Sequence, residues 1–129
     1  MTSSSSLKTP LSKARGHGSA KSGAHHWWMQ RMTAIALVPL SIWLMVALMG
    51  LSTASYVEVV LWLKSSLNTT LLLLFVGVSY YHMMLGMQVI IEDYVSSHGL
   101  RTTLIIGLKF AVIFIGLFSA LMILRVFFS

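Results

Sequence analysis

From its N-terminus the chain alternates between long apolar runs and short polar breaks. Apolar residues run almost unbroken from about Met32 to Leu51, from about Leu67 to Ile91, and from about Thr103 to Phe128. Each run reaches the roughly 20 residues that an α-helix needs to cross a hydrocarbon core about 30 Å thick. Backbone N–H and C=O groups find no water partner in lipid, so each run is predicted to be a transmembrane helix. Pro39 falls inside the first and predicts a kink there, while Gly77, Gly86, Gly107 and Gly116 allow close helix approach in the other two. Between the first two runs, Ser52 to Ser66 mixes Tyr56, Glu58, Trp62 and Lys64 with apolar residues, the pattern of a short helix lying at the interface. The second break, Glu92 to Thr102, is short and polar, which makes the second and third spans antiparallel neighbours. The pattern predicts an all-α membrane protein: residues 31–129 form a three-span membrane anchor domain behind a polar basic arm, residues 1–30.

Composition agrees, with 57% hydrophobic against 9% charged residues and a mean hydropathy of +0.83, far from a soluble domain. The absence of cysteine excludes disulfides, thiolate zinc sites and iron–sulfur clusters ligated by this chain. The net charge of +6 does not argue for nucleic acid, because the basic residues lie mostly in a tail beside a lipid-length segment. Lys8, Lys13, Arg15, Lys21 and Arg31 precede the first span, Lys64 stands alone in the first connector, and Arg101 lies in the second with Lys109 behind it. This asymmetry puts the arm and the second connector on the cytoplasmic side, and Lys109 and Arg125 read as snorkelling anchors. The arm is rich in Ser, Lys, Gly and His and lacks acids, so it cannot bury a core and is expected to be mobile to about Gly23. It is not a cleavable secretory signal, whose apolar region is shorter and earlier. A mitochondrial transit peptide shares the composition. Two locations follow: a bacterial inner membrane with a cytoplasmic N-terminus, or a mitochondrial inner membrane with the N-terminus in the matrix.

His82 is the one histidine deep within a span, eleven residues before Asp93, or about 16 Å from that end, near the bilayer middle. A lone buried histidine is often only a hydrogen-bonded core residue. Inside a membrane, however, an ionisable side chain is costly and usually faces a cofactor, a partner or a proton path. Gly86, Val89 and Asp93 share its helix face, and the glycine removes a side chain where a flat macrocycle would need room. Haem bound through neutral imidazole is a natural occupant. One helix cannot ligate both faces of the iron, so a second ligand must come from another polypeptide. Met83, Met84 and Met87 read as adaptable packing rather than thioether ligands.

Asp93 and Tyr94 close the second span. A carboxylate pair followed by an interfacial tyrosine is ordinary belt architecture, although acids at a helix C-terminus oppose the macrodipole. A tyrosine hydroxyl can also donate to a quinone carbonyl, with the neighbouring aspartate tuning it. Ahead of the first span, Trp27 and Trp28 read as interfacial anchors, and His25 and His26 as surface histidines. Arg31 either snorkels or offers its fork of donors to a carboxylate such as a haem propionate.

With these residues placed, the chain resembles the small hydrophobic membrane anchor of succinate dehydrogenase, respiratory complex II. The entry motif HWWMQRMTA, the core motif H-x-x-x-G-M-x-V at His82, Gly86, Met87 and Val89, and Asp93-Tyr94 at their distance carry the resemblance, which covers Trp27 to Phe128. It implies half of a heterodimeric haem-binding helix bundle, paired with a second three-helix anchor, the cytochrome b subunit of succinate dehydrogenase, and docked to the iron–sulfur and flavoprotein subunits. His82 would be an axial ligand to haem b iron, Arg31 a propionate or quinone-site contact, and Tyr94 with Asp93 a ubiquinone-site pair. Succinate oxidation and the flavin would belong to other subunits. Two readings stand against it. One is a small transporter, which would typically have a fourth span and an intramembrane carboxylate; the other is a structural membrane protein without a cofactor.

Overall fold

A computed structural model describes residues 9–11 and 21–129; residues 1–8 and 12–20, most of the polar arm, lie outside the described residues. Among the described residues the architecture is all helical: α1 (Lys21–Leu51), α2 (Tyr56–Leu63), α3 (Ser66–Tyr94) and α4 (His98–Phe128). Three of these are long and apolar enough to cross a membrane, with mean hydropathies of 2.3 in α1, 1.5 in α3 and 2.5 in α4. The lowest value belongs to the helix carrying His82, Gln88 and the paired acids. The chain is a multi-pass membrane protein.

Two boundaries differ from the hydropathy reading. α1 begins at Lys21, about ten residues ahead of the apolar run, and continues through Pro39. The break expected over Glu92 to Thr102 shrinks to residues 95–97, because both flanking helices extend into it. Gln88 Nε2 donates to Glu92 Oε1 at 2.8 Å one turn on, which holds the last turn of α3. Arg101 Nε donates to the Val95 carbonyl at 2.9 Å, tying the start of α4 to the end of α3. Arg101 therefore closes the connector as well as adding to its positive charge.

The expected short helix is present as α2. Ser55 begins it with a capping box: its backbone N–H donates to Glu58 Oε2 at 2.7 Å, and its hydroxyl accepts from the Glu58 N–H. The Ser55 N–H first, and its hydroxyl second, hold the Glu58 carboxyl below the usual carboxylate range. Trp62 of α2 stacks on Trp43 of α1 with centroids 5.8 Å apart. Thr69 Oγ1 donates to the Leu63 carbonyl at 2.7 Å, which fixes the turn into α3.

α3 is the central helix and packs against both α1 and α4. Tyr80 OH and Ser119 Oγ meet at 3.3 Å across α3 and α4, and Tyr80 also lies beside Gly116. Only Leu85, Val112 and Thr69 are buried among the described residues. A soluble domain could not leave so much apolar surface open; in a membrane, lipid is available to cover it.

Candidate functional site

His82 sits on the face of α3 that meets α1. Its Nδ1 lies 2.8 Å from Thr33 Oγ1. The same hydroxyl lies 2.7 Å from the Met29 carbonyl and 3.1 Å from that of Gln30. Threonine in a helix commonly donates to the carbonyl four residues back, and one hydroxyl carries one hydrogen. If Met29 takes that hydrogen, Oγ1 can only accept from His82, so Nδ1 carries the imidazole proton. His82 Nε2 then holds a free lone pair. It has no hydrogen-bond partner among the described residues and is accessible, on a half-buried ring.

This pairing joins the interior of α3 to the first half of α1. Along α3 it stands twelve residues, about 18 Å, from Tyr94. Its partner Thr33 is only five residues, about 8 Å, beyond Trp28 along α1. The two distances differ because α3 continues past the level of the tryptophan pair. The Thr33–His82 contact therefore lies nearer, along the helices, to the tryptophan pair than to Tyr94.

Gly86, one turn from His82, also faces α1. A Cβ added there would lie 3.7 Å from Gln30 Nε2, so the Gln30 side chain of α1 lies beside this glycine. Nearby, His26 is half-buried rather than a surface residue, and its Nε2 and the Gln30 Oε1 are buried without a hydrogen-bond partner. Gly23, His26, Gln88 and Glu92 line a polar cavity of about 240 Å³ between the start of α1 and the end of α3.

The other expected site residues stand apart from His82. Arg31 is exposed, with its guanidinium carbon 5.5 Å from the Trp27 ring centroid, an exposed cation–π contact of about 0.5–1 kcal/mol. It is two residues from Thr33, so the two project from nearly opposite faces of α1. Asp93 is exposed and Tyr94 is 83% exposed; neither side chain makes a hydrogen bond or ion pair with the described residues. No group of three or more metal-ligating side chains occurs among the described residues, so His82 stands as a single donor. Sequence reasoning missed Thr33, although it lies within the entry motif HWWMQRMTA. Its only signal was a hydroxyl residue at the mouth of an apolar helix. A separate apolar groove of about 600 Å³ runs along α3 and α4 beside Gly77, Tyr80 and Gly116.

A family model described as the succinate dehydrogenase/fumarate reductase transmembrane subunit matches residues 5–118. The chain is 49% identical over 104 residues to the succinate dehydrogenase hydrophobic membrane anchor subunit of Rickettsia bellii, covering 80% of this chain and 82% of that protein. Its identity to the protein of the same description from Rickettsia conorii is 48%, over 78% of this chain and 80% of that one. The succinate dehydrogenase membrane anchor subunit of Reclinomonas americana is 35% identical, over 66% of this chain and 72% of its own length. No solved structure matches the chain.

Proposed function

The chain belongs to the succinate dehydrogenase/fumarate reductase transmembrane subunit family, as a membrane anchor within an oxidoreductase complex, and from that premise we propose that it helps to hold haem b through His82 and ubiquinone through Tyr94. The observation that carries the haem reading is the 2.8 Å contact between His82 Nδ1 and Thr33. A neutral imidazole held by its Nδ1 side presents Nε2 as a ligand, the arrangement common to metal-bound histidine. A bound haem supplies one-electron chemistry within the membrane. His82 would hold the haem from this chain, and a second ligand would come from a three-span partner, the cytochrome b subunit.

Tyr94 and Asp93 stand free at the end of α3, about 16–18 Å along the helix from His82. There the Tyr94 hydroxyl donates a hydrogen bond to a quinone carbonyl and polarises it, and Asp93 tunes that hydroxyl. Arg31 serves a carboxylate of the cofactor or the quinone site from the partner-facing surface. The exposed apolar faces dock the cytochrome b subunit, and the arm-side surface receives the iron–sulfur subunit, which carries the flavoprotein. Electrons from succinate reach ubiquinone through those soluble subunits. The basic arm supports an N-terminus on the cytoplasmic side of a bacterial inner membrane, or on the matrix side if the membrane is mitochondrial.

Co-expression with the three-span partner and purification of the complex tests this reading. The complex shows a reduced b-type haem spectrum that His82→Ala abolishes. An unchanged spectrum in that variant removes the ligand assignment.

A further inference from the structure

Thr33 is assigned no role by the family match, yet it makes the one hydrogen bond that the His82 side chain has among the described residues. We propose that Thr33 is a positioning residue, which fixes the Nδ1–H tautomer and the ring orientation of His82 so that Nε2 is presented as the axial donor. This rests on the reading of His82 as a haem ligand. The geometry behind it is a chain of three groups: the Met29 carbonyl, the Thr33 hydroxyl 2.7 Å away, and His82 Nδ1 at 2.8 Å from the same oxygen.

The order of donors in that chain follows from what each group can do. The Met29 carbonyl can only accept. The hydroxyl hydrogen has that carbonyl at 2.7 Å and the Gln30 carbonyl at 3.1 Å to donate to, the back-bond a threonine in a helix commonly makes. The oxygen lone pair is then left for an imidazole N–H. Were the hydroxyl to donate to Nδ1 instead, the imidazole proton would sit on Nε2 and block its lone pair. Backbone carbonyls of α1 thus set, through one hydroxyl, which nitrogen of a residue on α3 is available.

The hydrogen bond also tunes what is bound. An Nδ1–H that donates makes imidazole a more basic ligand, and loss of such a partner typically weakens a metal site about 10- to 100-fold. Thr33→Val keeps the shape and the helix while removing the acceptor, and Thr33→Ser keeps the hydroxyl.

The test uses the whole complex with its partner subunits. Three readouts are taken: haem bound per complex, the rate of haem loss to an excess of a haem-scavenging apoglobin, and the haem midpoint potential. In Thr33→Val, haem loss quickens by about 10- to 100-fold and the potential of the remaining haem rises, because a less basic ligand favours the ferric state less. Thr33→Ser restores both. If valine prevents assembly, Thr33→Ala carries the same readouts without adding bulk where Oγ1 stood. Wild-type haem loss and potential in the hydroxyl-free variant overturn the proposal. So does faster haem loss at an unchanged potential that serine does not rescue, which marks a packing role only. A complex that keeps its haem spectrum in His82→Ala sinks the ligand reading itself, a separate outcome.

Discussion

Gly86 offers the sharpest test of how α1 and α3 meet. An alanine Cβ at this position lies 3.7 Å from Gln30 Nε2, within the ordinary contact range of about 3.5–4.0 Å. Nothing need move, and alanine is more favourable than glycine in a helix by up to about 1 kcal/mol. Gly86→Ala is therefore expected to leave the complex as stable as the parent or slightly more so, with haem content unchanged. Leucine adds three heavy atoms beyond Cβ, directed at the Gln30 amide, and overpacking of this kind costs about 1–3 kcal/mol. Gly86→Leu should destabilise the complex by that amount, and adding Gln30→Ala should recover much of the loss, because the two changes share one contact. Thermal unfolding of the detergent-purified complex, followed by helical circular dichroism, reads the stability, and reduced-haem absorbance per complex reads the occupancy. If the glycine instead lined a macrocycle, alanine alone would already expel haem and Gln30→Ala would rescue nothing. Loss of haem in Gly86→Ala from an otherwise stable complex refutes the packing described for this face.

Tyr94→Phe should slow reduction of a ubiquinone analogue by about 10- to 100-fold, the worth of one hydrogen bond to a charged or reacting oxygen, while succinate oxidation by a soluble artificial acceptor continues. Equal loss of both activities counts against a quinone role for Tyr94. Glu58 titrates outside the spans, and its carboxyl is held low by the Ser55 N–H and hydroxyl. A carboxylate with a depressed folded pKa stabilises the fold above its unfolded pKa and ceases to do so as pH falls through the folded one. Amide protection of α2 should accordingly weaken below the usual carboxylate range in the parent and lose that dependence in Glu58→Gln. Identical pH profiles for the two proteins would rule out the capping box as its source.

Much of the fold was legible because lipid leaves the backbone so few options. Apolar runs of spanning length must be helices, and the positions of Trp62, Lys64 and Glu58 marked the short helix between the first two. Helix ends were less legible, since hydropathy reports where lipid begins and not where backbone hydrogen bonds stop. Glu92, Asp93 and Tyr94 are polar or interfacial, yet they complete the last turn of α3. Lys21 to Gln30 are too polar to register as a span, yet they extend α1 against α3.

The candidate site divides along the same line. His82 stood out from the sequence alone, because an imidazole inside an apolar run carries a cost that calls for a reason. Periodicity placed Gly86 and Asp93 on its face, and composition excluded thiolate chemistry. Which neighbour occupies that face is a matter between helices, and no periodicity within α3 contains it. Only the packing of α1 on α3 put Gln30 in the notch at Gly86 and buried one edge of His26. The same packing brought Thr33 to His82 across 49 positions of sequence. The sequence by itself determined the spans, the lone deep histidine and its distance to the tyrosine, because these follow from hydrophobic length and helical rise along one segment. Tertiary structure decided which groups meet that histidine and its glycine, because the Thr33 hydroxyl and the Gln30 amide come from another helix.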